Sequence, residues 1–531
     1  MKNISIFVIL NFIRMREMYK FMLLLGWLLC SAWNVNSENV PAKNWYRGYN
    51  DTLCGINIDK AYEFLYACKL KPRKQIVIGV IDSGIDTTAV DLATSLWINS
   101  KEKVDGKDND KNGYIDDLHG WNFLGTKDGS FNMISAGTEE FREFKRLYPK
   151  YKDIADDMQV ADSTEFLYYQ TMKKKAGIVS YIKFAGYVGL KDKAYTYIDS
   201  LLASTSSLAM DTLTVQGLLQ LKITDEKWSK SVEMLFTDFY KQGNAALWTA
   251  VRKNHDEEFA LMKTRLRSIE QDPDKRLLMG DDMKNPCDCF YGNPILQVDG
   301  YEHGTFVAGV IAGQGLLNSE LVGVWPEGRL MILRAVPNGD EYDKDIASAI
   351  RYAVDNGAKV INMSLGKYTS PDAWMVTEAI AYAQQKDVLI VHAAGNNHKN
   401  LDSVAYYPSS HDTDETTFPN YIRVGASDRN GQPCNFSNYG KSEVDLFAPG
   451  EKITSVAPGN KYMTSQGTSV AAPIVSGVAA MLRAYFPKLK AAQIKEILIR
   501  TVRSNDALKN NCVSGGVIDV YEAVKMAVTY K

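Results

Sequence analysis

Neither sign of charge dominates this chain: 61 lysines and arginines stand against 63 aspartates and glutamates in 531 residues, a formal net charge of −2. Nucleic-acid binding ordinarily leaves a basic footprint, and none is present. The same balance excludes a polybasic surface for anionic membranes. Beyond the N-terminal region no run reaches 18 apolar residues, so no stable membrane span is expected once that region is removed. Cysteine is scarce, at seven residues, and no Cys/His set has zinc-ligand spacing. Internal repeats and low-complexity tracts are missing too. What is present is an ordinary globular balance, 45% hydrophobic and 23% charged, which excludes a mainly disordered chain. The length allows two or three domains, or one large domain carrying an insertion.

Arg14, Arg16 and Lys20 precede the apolar run Phe21 to Leu29, the order of a secretory signal, with Met15 and Met18 as alternative starts. Val35-Asn36-Ser37 offers a cleavage site and Glu38 a mature N-terminus. An exported protein, periplasmic or secreted, is expected. Lipid anchoring at Cys30 is the minor alternative, because Trp27-Leu28-Leu29 lacks small residues before it. Export tolerates disulfides, and Cys54 with Cys68 is the best local pair.

From about Gln75 short runs rich in Val and Ile recur: Ile76 to Ile81, Leu330 to Val336, Lys359 to Leu365, Asp387 to Ala393 and Tyr421 to Ala426. Such runs read as buried parallel strands. Helical stretches such as Asp345 to Asp355 and Asp372 to Gln385 lie between them, so an α/β fold is expected, a doubly wound, mainly parallel sheet. Residues 130–285 differ. They are rich in Lys, Glu, Tyr and Leu with helical periodicity, and read as a large helical insertion. The resulting division is a signal peptide over 1–37, an N-terminal segment over 38–74 packing on the main domain, that domain's two parts over 75–129 and 286–531, and the insertion between them.

Four short motifs carry chemistry. The run Ile78 to Asp86 is an apolar strand ending at Asp82, where open α/β sheets place their active sites. In Glu302-His303-Gly304-Thr305 a histidine opens a helix of small apolar residues, where the dipole disfavours its charged form. Gly467-Thr468-Ser469 opens another apolar helix, whose unpaired N–H groups suit an oxyanion. Val391 to Asn397 runs from a strand through Ala393-Ala394-Gly395 to Asn396, an amide donor for the same oxyanion.

The order Asp82, His303, Ser469, with Asn396 between the last two, resembles the subtilisin-like serine proteases, whose triad follows the chain order Asp, His, Ser. Val360 to Gly366, Phe436 to Gly440 and Phe447 to Gly450 extend the resemblance, which covers residues 75–130 and 286–530. It implies a serine endopeptidase acting on polypeptides through an acyl-enzyme. Ser469 is then the nucleophile, His303 the base, Asp82 its orienting carboxylate, and Asn396 an oxyanion donor. It places the substrate pocket between Ser364-Leu365-Gly366 and Ala393-Ala394-Gly395, with room for a large apolar side chain. Lys367, which follows, is expected either to favour acidic substrate groups or to lie solvated in a loop. Because Asp82 and His303 must touch, the insertion's ends near Trp121-Asn122-Phe123 and Tyr291-Gly292-Asn293 must meet. Two rival readings accompany this one: a maturation protease dedicated to one partner, and a non-catalytic binding protein on the same fold.

Asp108-Asn109-Asp110-Lys111-Asn112-Gly113-Tyr114-Ile115-Asp116 resembles the front of an EF-hand calcium loop. The resemblance implies Ca2+ ligands from Asp108, Asp110, Asn112, the Tyr114 carbonyl and Asp116. The twelfth position is His119 in place of the usual Glu.

Overall fold

The computed structural model describes residues 44–50, 53–155, 158, 160–204, 210–271 and 274–530. The expected signal peptide, Met15, Met18 and Cys30 lie outside the described residues.

Nine strands form the central sheet: β1 (Val77–Asp82), β2 (Gly120–Asn122), β3 (Arg329–Arg334), β4 (Val360–Met363), β5 (Leu389–Ala393), β6 (Tyr421–Ser427), β7 (Leu446–Pro449), β8 (Arg503–Ser504) and β9 (Gly516–Val517). Their spatial order is β8-β9-β7-β6-β5-β4-β1-β3-β2, and only the β8–β9 pair is antiparallel. Alternate side chains of β1 feed opposite faces. Val80 joins the core formed with helices Glu302–Ala312 and Thr468–Tyr485, while Ile81 joins the one formed with Asp343–Asp355 and Ala373–Gln385. The chain leaves β1 toward β2 and β3 on one side and leaves β4 toward β5 on the other. Such a reversal of strand order opens a crevice at the strands' carboxyl ends.

Thr468–Tyr485 is long and apolar enough to cross a membrane, but 94% of it is buried in the protein core. The helix Ile58–Ala67 packs on the last helix, Val520–Thr529, with Ile58 and Leu65 fully buried. The expected Cys54–Cys68 disulfide is not formed. All six described cysteines are free thiols. The helix Ile58–Ala67 runs between the two, about 15 Å of rise, whereas a bridge needs Cα atoms within about 7 Å.

Between β2 and Glu302 the chain passes through the helices Glu139–Tyr151, Ser163–Lys175, Ile178–Ser204, Glu226–Gln242 and Trp248–Gln271. Side chains of Thr138, Asp162 and Asp225 cap three of them. These helices bury their own apolar clusters, one around Trp228, Leu235 and Trp248 and another around Phe144, Phe166 and Tyr169. The two ends of the segment meet on the main sheet. Asn122 and Asn293 exchange backbone hydrogen bonds of 2.9 and 3.1 Å, and the Trp121 indole N–H donates to the Tyr291 carbonyl at 2.7 Å.

Candidate active site

Asp82 ends β1 and is 2% exposed, too short and too deep to reach solvent. Its Oδ1 accepts the Ser83 N–H at 2.7 Å and lies 2.7 Å from His303 Nδ1. That pair spans 221 residues of sequence. His303 is the second residue of its helix, with one third of its side chain exposed. The following Gly304 lets the helix approach β1, because a Cβ there would overlap the Gly84 carbonyl oxygen. Burial works against a charged His303 ring, but the Asp82 carboxylate and its hydrogen bond prevail and raise the imidazole above its ordinary value. With Nδ1 committed to Asp82, Nε2 is the ring nitrogen left free for a further partner.

Ser469 is the second residue of the helix Thr468–Tyr485, so its N–H lies in the first turn, where the helix supplies no acceptor. Gly467 makes the turn possible at φ +149°. A Cβ there would sit 3.0 Å from Ser469 Oγ and 3.4 Å from Asn396 Nδ2, which places the hydroxyl and the amide against the same point. Asn396 is oriented by Thr468, a residue the motif contains but sequence reasoning passed over. The Thr468 N–H and Oγ1–H both donate to Asn396 Oδ1, at 2.8 and 3.0 Å, while Thr468 Oγ1 accepts the Gly395 N–H at 2.9 Å. With its oxygen occupied, Asn396 presents its NH2 group.

Ser364, Leu365 and Gly366 continue β4 beyond its end, beside Ala393, Ala394 and Gly395 at the end of β5. Ser364 Oγ donates to the Ser469 carbonyl at 2.8 Å and ties the end of β4 to the helix that carries Ser469. Both expectations for Lys367 need correction. The residue is 3% exposed, so it is neither solvated nor available to a substrate. Its ammonium lies 2.6 Å from Glu139 and 2.9 Å from Asp343, and it donates to the Glu341 carbonyl at 2.8 Å. Glu139 begins the first helix of the long helical segment, which therefore grips the pocket edge directly. Thr369 Oγ1 donates to the next residue, Glu140, at 2.6 Å.

In the acidic loop, ligand oxygens of Asp108, Asp110 and Glu102 lie within 4.8 Å of one another. Glu102 had no motif signal, since it precedes the loop. Asp116 does not join them: its carboxylate accepts the N–H groups of Asp105 and Gly106, both at 3.0 Å. Asn112 Oδ1 accepts the Tyr114 N–H and its Nδ2 donates to Asp117, both at 2.8 Å. The Tyr114 ring is buried against Trp121 and Tyr352.

Comparison with known proteins shows which family the chain resembles. The model of the subtilase family matches residues 260–515, a span that includes His303, Asn396 and Ser469 and leaves out Asp82. Over 237 residues, 44% of this chain, it is 33% identical to subtilisin Savinase of Lederbergia lenta and covers 81% of that protein. It is 36% identical over 236 residues to a thermophilic serine proteinase of Bacillus sp. (strain AK1), where the match spans about half of the relative's length, 54%. Among solved structures, proteases from Pseudoalteromonas arctica align over 45% of this chain and 74% of theirs, with 30% identity and a TM-score of 0.37.

Proposed function

Because the chain belongs to the subtilase family, we propose that it is an exported serine endopeptidase that cleaves polypeptides through an acyl-enzyme. The observation that carries this reading is the Asp82–His303 contact at 2.7 Å, together with a helix-borne Ser469 whose neighbour Thr468 orients Asn396. Ser469 Oγ attacks the scissile carbonyl as His303 Nε2 takes its proton. His303 then passes that proton to the leaving amine, and water repeats the sequence on the acyl group. Asp82 holds the imidazole tautomer and stabilises the transient imidazolium. The Asn396 amide and the Ser469 N–H receive the oxyanion. Export is supported by the basic and then apolar order of the N-terminal residues. A fluorophosphonate probe tests the reading: mass spectrometry should find one adduct, on the peptide containing Ser469. Folded protein that takes no adduct would sink it.

Asn396→Ala is expected to lower kcat about 100- to 1,000-fold with little change in KM, the loss that follows removal of one oxyanion donor from subtilisin. Steady-state kinetics check this, and an unchanged kcat removes Asn396 from the oxyanion site.

We also propose that the acidic loop holds a structural Ca2+ on Glu102, Asp108 and Asp110. Glu102 is 5% exposed, and its Oε2 has no hydrogen-bond partner although the residue's ligand oxygen faces two more carboxylates. Three converging carboxylates with a spare buried oxygen fit a hard divalent cation. Excess EDTA should lower the melting temperature by at least about 3 °C, and Ca2+ should restore it. A melting curve indifferent to EDTA removes the ion.

A further inference from the structure

The two glycines that flank the substrate pocket both point at one tyrosine. A Cβ built on Gly366 would overlap the hydroxyl oxygen of Tyr406. One built on Gly395 would stand 2.9 Å from that same oxygen and from Cζ, and would overlap the Asn438 amide nitrogen. The space that two glycines leave open between β4 and β5 is therefore filled from below by the end of a phenol ring.

Tyr406 is not a mobile lid. It is 7% exposed, its ring stacks on His392 at 5.5 Å, and it contacts the Tyr368 ring at 5.2 Å. His392 is itself held by the Leu365 carbonyl at 2.9 Å and the Tyr421 hydroxyl at 2.6 Å. Asn438 is equally fixed, donating to the Ala394 carbonyl at 2.8 Å and the Tyr368 hydroxyl at 2.9 Å. Rotating Tyr406 away would break the ring stack and open a void in a packed core.

We propose that Tyr406, backed by Asn438, is a specificity-determining residue that closes the primary pocket, so that the enzyme cuts after glycine and alanine and rejects large apolar side chains. This inference rests on the endopeptidase reading and reverses the preference expected from the small residues in the pocket walls. Those walls are small, but the floor is raised. A pocket that excludes one or more methylenes discriminates about 10- to 200-fold for each, so rejection of phenylalanine or leucine is expected to exceed 10-fold.

The test is a digest of a denatured protein mixture by the full chain, with the residue before each cut read by mass spectrometry, alongside fluorophosphonate labelling. The probe is small and reports the triad whatever the pocket depth. Enrichment of glycine and alanine at least 10-fold over phenylalanine and leucine is the expected result. Tyr406→Gly should then shift the ratio toward phenylalanine by about 10- to 100-fold. Tyr406→Phe keeps the ring stack, removes the oxygen nearest Gly366, and should raise cutting after valine, two carbons larger than alanine, severalfold. The wild-type profile decides the matter even if Tyr406→Gly does not fold. Labelled enzyme that prefers large apolar residues, shows no preference or cuts nothing overturns the pocket inference and leaves the triad intact. Unlabelled protein overturns the endopeptidase reading, and the inference falls with it.

Discussion

Ser469→Ala is expected to lower kcat by about six orders of magnitude while KM stays within a few-fold. The size is that of subtilisin, in which removing the serine alone is nearly as damaging as removing the whole triad. The physical reason is visible in the site. His303 has its Nδ1 bound to Asp82 and only Nε2 left to act, so without the Ser469 hydroxyl it has no proton to take. The proposed oxyanion donors are expected to survive the substitution. Asn396 is oriented by Thr468 rather than by Ser469, so its amide stays in place. Residual turnover of about 1,000- to 10,000-fold over water is therefore expected. Single-turnover assays with a chromogenic peptide check both figures. A variant that retains a tenth of wild-type turnover would show that Ser469 is not the nucleophile.

Lys367→Met is expected to destabilise the protein by about 3–5 kcal/mol, the range for removing one partner of a buried ion pair. The loss falls unevenly. Glu139 keeps the Arg142 guanidinium at 2.5 Å. Asp343 keeps only neutral donors, the Ser370 hydroxyl at 2.6 Å and the Asp372 N–H at 3.0 Å. Asp343 is thus the stranded charge. The double variant Lys367→Met/Asp343→Asn should recover more than half of the loss, since neutralising both partners removes the desolvated anion. Urea unfolding of the three proteins measures this. A single-variant loss below about 1 kcal/mol would mean that water reaches the cluster.

Much of this structure is legible in the residues themselves. The Val- and Ile-rich runs become β1, β3, β4, β5 and β6 because a strand buried on both faces must be apolar throughout. β2 escapes notice because three residues, Gly120-Trp121-Asn122, carry no period. The helix Ile178–Ser204 is hard to read for the opposite reason. It buries Val188, Tyr195 and Ile198 yet exposes Val179, Ile182 and Leu190, so no polar face marks it. At the site, Asp82, His303, Asn396 and Ser469 stand in motifs because each must lie at a strand end or helix start. Tyr406, Glu102 and Lys367 have no such mark. Their surroundings are built by residues far away in the chain, and sequence spacing says nothing of that. Lys367 is the clearest case, since a lysine after a glycine reads as solvated until Glu139 is brought to it from 228 residues away.

The place of β1 between two later strands also sets a timetable for the nascent protein. Its two neighbours, β3 and β4, begin about 250 and 280 residues later in the chain. At about 5–20 residues per second, ribosomes take roughly 10–50 s to reach them. The helices in between are made during that delay and have their own apolar clusters to collapse around, so they are able to form before the sheet that carries them. The proposed nucleophile arrives later still. On the proposed reading, until Ser469 has been made there is no hydroxyl for His303 to activate, and the growing polypeptide is expected to be spared its own proteolysis by the order in which its residues are joined.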